Sequence, residues 1–193
     1  AGFDRPNIRY RISLKNQPKQ QLLRFLSNEH ANDSGIVYCL SRKKTEATAE
    51  WLSDQGFNAL PYHAGLPSDV RAYHLKRFLR EDNIIVVATI AFGMGIDLAH
   101  VRYVIHWTMA KTVEGFYQES GRAGRDGLPS HSVLYYSKED ARKFQWLIGQ
   151  QKKSKKSSSS SSTDAINLER KLAALEQMVD YCTTAACRRN ALI

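Results

Sequence analysis

The amino-acid sequence predicts a doubly wound α/β domain, in which a mainly parallel sheet is flanked by helices. Short runs rich in β-branched residues alternate with segments of helical period, the pattern of a parallel sheet covered by helices. The chain has 193 residues, enough for one domain of ordinary size and an appendage. Its hydrophobic content of 42% is enough to fill a core. We therefore expect a folded α/β protein.

Six apolar runs predict the strands, and five segments between and after them predict helices. The strands are expected at Ile8 to Ile12, Gly35 to Leu40, Asn58 to Tyr62, Ile84 to Ala88, Val101 to Trp107 and Ser132 to Tyr136. The helices are expected at Pro18 to Asn28, Lys43 to Gln55, Pro67 to Arg80, Thr112 into a glycine-rich stretch, and Lys138 to Ile148. Gly56 is expected to end the second helix, because glycine favours the conformation that closes helices.

The composition changes abruptly after Ile148, where a lysine block is followed by six serines, Ser157 to Ser162. No apolar residue in the serine run offsets the entropy of ordering it. We therefore expect a flexible linker or disordered insertion at residues 151–163. It separates a main lobe at residues 1–150 from a helical segment at residues 164–193.

An amphipathic helix is expected to open that last segment. Its apolar positions recur at spacings of four, three, four and three, which marks one helix face: Leu168, Leu172, Leu175, Val179 and Cys182. Another helix is expected to start near Cys187. The first residue is not Met, and the chain stops soon after Cys187, so we expect a piece of a longer protein.

The charge of the chain favours a polyanion as partner. Twenty-eight Lys and Arg residues against nineteen Asp and Glu residues give a net charge of +9. Four lysines in the linker contribute to this excess: Lys152, Lys153, Lys155 and Lys156. Nucleic acid is the leading candidate, because basic proteins release its condensed counterions on contact. No run approaches the ~18 to 20 apolar residues of a membrane helix, so no membrane partner is expected.

Three cysteines indicate a reducing, intracellular compartment. Cys39, Cys182 and Cys187 cannot form a complete disulfide framework. Cys39 lies in an apolar run, where a buried thiol behaves as a small hydrophobic group.

Ligand sites of such sheets lie in the loops that follow the carboxyl ends of the strands. Four of these loops carry polar residues: Ser41 to Glu46, Tyr62 to Pro67, Ala88 to Asp97 and His106 to Thr112.

The strongest motif is QESGRAGRDG, Gln118 to Gly127, in which Arg122 and Arg125 are separated by small residues. Both guanidinium groups lie on one side if the segment is helical, and the small residues allow another surface to approach. This arrangement suits a phosphate offered by a neighbouring domain, because guanidinium binds two phosphate oxygens and neutralises developing charge. A solvated basic turn is the structural alternative.

Four motifs in order resemble the RecQ family of helicases in superfamily two. GIVYCLSRKKTE is similar to helicase motif IV, YHAGL to the segment after it, VVATIAFGMGID to motif V, and QESGRAGRDG to motif VI. FDRPN, from Phe3 to Asn7, resembles the start of that family's second RecA-like lobe. The resemblance covers Gly2 to about Ile148 and returns at YC and CRR near the end of the chain.

The resemblance implies the C-terminal lobe of an ATP-driven DNA helicase that moves 3′ to 5′ on single-stranded or partly duplex DNA. It also implies roles for individual residues, taken position by position. Arg125 is the arginine finger, Arg122 its partner at the phosphates, and Gln118, Gly95 and Asp97 are nucleotide-binding. The residues that line the path of DNA are Ser41, Arg42, His63, Thr89, His106 and Lys111.

Each implied role has a simpler alternative. Asp97 could cap a turn, and His63 or His106 could be a buried histidine whose hydrogen bonds are satisfied within the fold. Thr89 could reflect only the strand preference of threonine. Small polar groups and backbone amides at strand ends nevertheless suit a motor that holds sugar and phosphate without reading bases.

The sequence lacks the phosphate-binding loop GxxxxGK[ST] and a DEAH-like acidic cluster that would hold Mg²⁺. ATP and Mg²⁺ are therefore expected to bind mainly to an N-terminal RecA-like lobe of the same protein, and this chain alone is expected to be inactive. Cys187 resembles the first of four ligands of the RecQ zinc domain. We expect Zn²⁺ in the full-length protein and no complete zinc site here.

Two other functions fit the same sequence less closely. A superfamily-two RNA helicase shares this lobe and its two arginines. A stand-alone nucleic-acid-binding module would explain the charge and the Lys/Ser-rich segment. The expected location is the nucleus of a eukaryote or the nucleoid of a bacterium.

Overall fold

The computed structural model describes residues 4–90, 92–93, 96–154 and 162–192. Within this part of the chain, the strands are β1 (Ile8–Leu14), β2 (Gly35–Tyr38), β3 (Asn58–Tyr62), β4 (Ile84–Ala88), β5 (Tyr103–His106) and β6 (Ser130–Tyr136). The helices are α1 (Pro18–Glu29), α2 (Arg42–Asp54), α3 (Ser68–Arg80), α4 (Val113–Ser120), α5 (Lys138–Ser154), α6 (Ser162–Thr183) and α7 (Arg188–Leu192).

The six strands form one sheet in the order β1-β6-β5-β2-β4-β3, and every neighbouring pair is parallel. Strand β2 lies inside the sheet, with β5 on one side and β4 on the other. The chain therefore crosses β2 when it passes from β4 to β5. The predicted fold class, a mainly parallel sheet flanked by helices, is confirmed.

Alternate residues of the central strands pack into two hydrophobic cores, one on each face of the sheet. Val37 of β2 packs with Phe25 of α1 and Leu52 of α2 on one face. Ile36 packs with Phe78 of α3 on the other face. This alternation follows from the period of two in a β-strand. Because both faces are covered, the inner strands β2 and β4 carry no charged or amide-bearing side chain and are buried throughout, as the apolar runs in the sequence predicted.

A third core joins the C-terminal helices to the sheet. Phe116 of α4 and Phe144 of α5 belong to it, together with four buried residues of α6: Leu175, Met178, Tyr181 and Cys182. The rings of Phe116 and Tyr181 have centroids 5.4 Å apart. The end of α6 is therefore packed on the main domain.

The apolar face predicted for α6 is wrong in part. Leu175 and Cys182 are buried and Val179 is partly buried, as predicted, but Leu172 is 39% exposed. Met178 and Tyr181, which the predicted spacing did not include, are buried. The reason is that only the C-terminal half of α6 contributes buried residues to the third core, whereas Leu168 in its first half is only partly buried.

Helices occupy both ends of the range 151–163 that was expected to be a linker. Helix α5 continues to Ser154, and α6 begins at Ser162. The predicted serine linker lies, except for Ser162, outside the described residues. Among the helices in the described part of the chain, none has the length and apolar character needed to cross a membrane.

Adjacent residues of α3 provide a test of this packing. Phe78 is 0% exposed, whereas Leu79 is 45% exposed. We expect Phe78→Ala to lower the free energy of unfolding by about 3 to 5 kcal/mol, because it removes a ring from a packed core. Leu79→Ala is expected to cost less than about 1 kcal/mol. Urea unfolding measures both values, and equal losses would contradict the assigned face of α3.

Candidate functional site

The loops that follow β5, β2, β4 and β3 lie side by side, because parallel strands place their carboxyl ends at one edge of the sheet. Four of the predicted DNA-binding residues are at least partly exposed along this edge: Ser41, Arg42, Thr89 and Lys111. The edge therefore presents a row of polar and basic side chains.

Ser41 and Arg42 occupy the start of α2. The Ser41 hydroxyl oxygen accepts a hydrogen bond from the backbone N–H of Lys44 at 3.1 Å, so Ser41 is the N-cap of the helix. Arg42 is the first residue of the helix and is exposed. Capping of α2 is therefore a sufficient structural role for Ser41, whereas Arg42 is free to contact a ligand from the solvent side.

His63 is buried behind this edge, with 4% of its surface exposed. The backbone N–H of Gly65 donates to its Nδ1 at 3.0 Å, so the proton of a neutral ring lies on Nε2. Nε2 then donates to the Glu46 carboxylate at 2.7 Å. These contacts are those of a satisfied buried histidine that fixes the loop after β3. Its predicted role at DNA stays a prediction.

His106 is also buried, with 1% of its surface exposed, and its Nε2 lies 2.9 Å from the carboxylate of Glu119. Its Nδ1 has no hydrogen-bond partner among the described residues. The ring borders a cavity of about 170 Å³ that Lys111 also lines. His106 therefore couples β5 to α4 from inside the fold, whereas Lys111 is exposed.

Arg122 is held inside the protein by the loop after β4. It is 8% exposed, and its Nε donates to the backbone carbonyl of Phe92 at 3.3 Å. Gly93 has a φ of +94°, and an added Cβ there would lie 2.6 Å from Nε of Arg122. The glycine is required by this close approach and by its left-handed backbone. The segments resembling motifs V and VI are therefore in direct contact.

The hydroxyl of Tyr38 donates to the same Phe92 carbonyl at 3.0 Å. Burial raises the pKa of Tyr38 well above its ordinary value, although Arg122 lowers it slightly. The phenol is therefore protonated, and able to donate, up to a higher pH than an ordinary tyrosine.

The turn that follows α4, residues 121–127, carries both Arg122 and Arg125. Arg125 is exposed on it. Its Nη1 donates to the backbone carbonyl of Ile96 at 3.3 Å. Asp97 follows directly and is exposed, as is Gln118 on α4. Gly95 lies outside the described residues. The structure therefore brings Arg122 and Arg125 against one loop, and their predicted roles at a nucleotide stay predictions.

The sequence interpretation missed the residues that hold this turn in place. Arg5 donates hydrogen bonds to the backbone carbonyls of Gly121, Ala123 and Gly124, at 3.1, 3.0 and 2.8 Å. Asn7 Nδ2 donates to the carbonyl of Gly124 as well, at 2.7 Å. Both residues belong to the FDRPN motif, which the resemblance used only to mark the start of the lobe.

Gly124 is the point at which this packing is tightest, and it provides a second test. Its φ is +59°, and an added Cβ would lie 2.5 Å from both Asn7 Nδ2 and Ser130 Oγ. Gly127 also has a positive φ, +82°, but an added Cβ there meets nothing within 4 Å. Gly127→Ala is expected to cost about 1 to 2 kcal/mol for the backbone alone.

We expect Gly124→Ala to cost about 1 to 3 kcal/mol more than Gly127→Ala, because it adds a steric clash to the same backbone strain. Thermal or urea unfolding of the two variants gives the difference. Equal destabilisation would show that Asn7 and Ser130 do not enclose Gly124.

The described cysteines do not assemble a zinc site. Cys187 is exposed at the start of α7, and backbone N–H groups of Asn190 and Arg189 hold the pKa of its thiol below the ordinary value. Cys182 is buried in the third core, and burial raises its pKa to about 12. Within the described ranges, no group of three or more His, Cys, Asp or Glu side chains could hold a metal ion. Cys187 as a zinc ligand stays a prediction.

Comparison with known proteins identifies the class of this chain. The model of the helicase conserved C-terminal domain matches residues 17–127, which is more than half of the chain. The model of the RecQ zinc-binding domain matches residues 138–193. The first match covers β2 to β5 with helices α1 to α4, and the second covers helices α5 to α7.

Curated relatives extend the similarity over the whole chain. The ATP-dependent DNA helicase hus2/rqh1 of Schizosaccharomyces pombe is 42% identical over 100% of this chain and 14% of its own length. The RecQ-like DNA helicase BLM of Xenopus laevis is 43% identical over 100% of this chain and 14% of its own length. The ATP-dependent DNA helicase RecQ of Haemophilus influenzae is 40% identical over 100% of this chain and 29% of its own length.

With both domain models and these relatives in agreement, the chain belongs to the RecQ family of helicases, as its motifs predicted. The chain spans only 14% to 29% of the length of these three relatives.

Proposed function

We propose that this chain is the second RecA-like lobe of an ATP-dependent DNA helicase that moves 3′ to 5′ on single-stranded DNA. ATP and Mg²⁺ are held mainly by a first lobe, and this chain supplies the arginine finger and part of the DNA track. One observation carries the proposal: Arg125 is exposed on a turn that is tied to the loop after β4. Full-length relatives named as ATP-dependent DNA helicases support it.

Arg125 has the chemistry of an arginine finger. Its guanidinium is planar, permanently charged and able to bind two phosphate oxygens. Its exposure lets it reach a nucleotide held by another lobe, where it offsets charge that develops on the γ-phosphoryl group. Arg122 lies beneath it against Phe92, so it also restricts the shape of the turn.

The loop after β4 couples the two ends of the proposed site. Thr89, a proposed DNA contact, accepts at its backbone carbonyl from the N–H of Phe92 at 3.1 Å. Phe92 in turn accepts from Arg122, and Ile96 accepts from Arg125. A shift of the turn on ATP hydrolysis would therefore act on the loop that holds Thr89. Such a connection is what a DNA motor requires.

The Arg125→Ala variant of the full-length protein tests this proposal. We expect DNA-stimulated ATP turnover to fall by about 10³-fold or more, the scale of arginine-finger losses. DNA affinity is expected to change little, because Arg125 is assigned to the nucleotide side. Steady-state ATPase assays and fluorescence anisotropy with single-stranded DNA measure the two quantities.

Arg24→Ala is a control for this variant, because it removes an exposed arginine of α1 that lies outside the helicase motifs. It should leave turnover unchanged. Equal loss of turnover and DNA affinity in Arg125→Ala, or no loss of turnover, would favour a stand-alone nucleic-acid-binding module, to which the net charge of +9 gives weak support.

The choice between DNA and RNA can be tested separately. We expect the lobe joined to its native first lobe to hydrolyse ATP faster with DNA than with RNA, and the chain alone to hydrolyse none. GMGID and QESGRAGRDG are closer in wording to RecQ proteins than to RNA helicases. Stimulation by RNA alone would overturn the DNA assignment. Such an enzyme would act in a nucleus or a bacterial nucleoid.

A further inference from the structure

We propose that Arg5 and Arg189 are positioning residues for the arginine finger, joined by the N-terminal strap, residues 4–8. The strap connects the C-terminal helices to the turn that carries Arg125. ATP turnover therefore depends on the hydrogen bonds that both Arg5 and Arg189 make. This inference rests on the function proposed above. The strap lies outside both ranges matched by the domain models, residues 17–127 and 138–193.

Arg5 holds the turn through its backbone. The carbonyls of Gly121, Ala123 and Gly124 are all within 3.1 Å of its guanidinium nitrogens. The carbonyls of Gly121 and Ala123 lie beyond the end of α4, outside its helical hydrogen bonds, whereas that of Gly124 also accepts from Asn7 and from the backbone N–H of Gly127. The planar, five-donor guanidinium satisfies them together, which an ammonium group cannot do with the same geometry.

Arg189 holds the strap from the other side. Its Nη1 bonds the carboxylate of Asp4, and donates to the backbone carbonyl of Arg5 at 2.9 Å. Its Nη2 donates to the carbonyl of Ile8 at 2.7 Å. The guanidinium also lies over the ring of Tyr10, 5.7 Å from its centroid. Arg189 belongs to α7, which follows the end of α6.

The two sets of contacts form one continuous path. Arg189 fixes the backbone of Arg5, and the Arg5 side chain fixes the carbonyl of Gly121, directly before Arg122, and those of Ala123 and Gly124, directly after it. Arg125 leaves this turn directly after Gly124. Because catalysis by a charged group depends on its placement, loosening the path lowers the rate of the chemical step.

The experiment uses full-length protein with Arg5→Ala, Arg189→Ala and both together. We expect kcat for DNA-stimulated ATP hydrolysis to fall about ten- to hundredfold in Arg5→Ala, with a smaller fall in Arg189→Ala. The KM for ATP and the Kd for single-stranded DNA should stay within about twofold, because neither side chain is assigned to a ligand. The double variant should resemble Arg5→Ala, because Arg189 acts through the strap.

A double-mutant cycle of Arg5 and Arg125 distinguishes a positioning role of Arg5 from general damage to the fold. In an Arg125→Ala background, Arg5→Ala should lower kcat no further, since the group being positioned is gone. A further loss of the same size in that background would identify a structural defect and overturn the proposal. Arg9→Ala, which removes an exposed arginine of β1, is the matched control and should leave kcat unchanged.

Different results would contradict the proposed helicase function and the proposed positioning role of Arg5 and Arg189. Unchanged turnover in Arg125→Ala would remove the proposed function itself. A large loss in Arg125→Ala with unchanged turnover in both Arg5→Ala and Arg189→Ala would overturn only the strap. If Arg5→Ala does not fold, Arg189→Ala decides, because its contacts are peripheral: a fall in kcat at constant KM supports the strap, and an unchanged kcat rejects it.

Discussion

Backbone carbonyl groups that lie outside helices and strands must find donors, and this requirement shapes the centre of the molecule. The two arginines of the turn after α4 donate to carbonyls of the loop after β4, so the carbonyls of the turn itself need other donors. Arg5 and Asn7 supply these donors from near the start of the chain, 116 to 119 residues away. The turn that bears Arg125 is thus ordered by tertiary contacts. Its geometry depends on strand β1 being in place beside β6.

The fold was largely predictable because its sheet is buried on both faces. The bounds of β3 and β4 agree with the apolar runs that predicted them. The fifth run was predicted from Val101 to Trp107, yet β5 covers only Tyr103–His106. Val101 and Trp107 are nevertheless buried. Apolar character reports burial, and it does not distinguish a strand from the buried turn beside it.

The site was predictable only where local sequence determines it. The loops that contain Arg42 and Lys111 followed from the predicted sheet, and these two residues were named from the family resemblance. The burial of His63 and His106 depends on Glu46 and Glu119, distant partners that no local pattern reveals. The contacts of Arg189 with residues 4–8 join positions 181 to 185 apart. For the same reason, spacing alone did not show that Met178 and Tyr181 would replace Leu172 in the core.

The Phe92 carbonyl accepts two hydrogen bonds, from the Tyr38 hydroxyl and from Arg122. A buried carbonyl that loses its only donor carries a desolvation cost of about 1 to 3 kcal/mol. With Tyr38 in place, Arg122 can turn away from Phe92 without leaving that oxygen unpaired. The phenol therefore removes this desolvation cost from a movement of Arg122 towards solvent or a neighbouring domain.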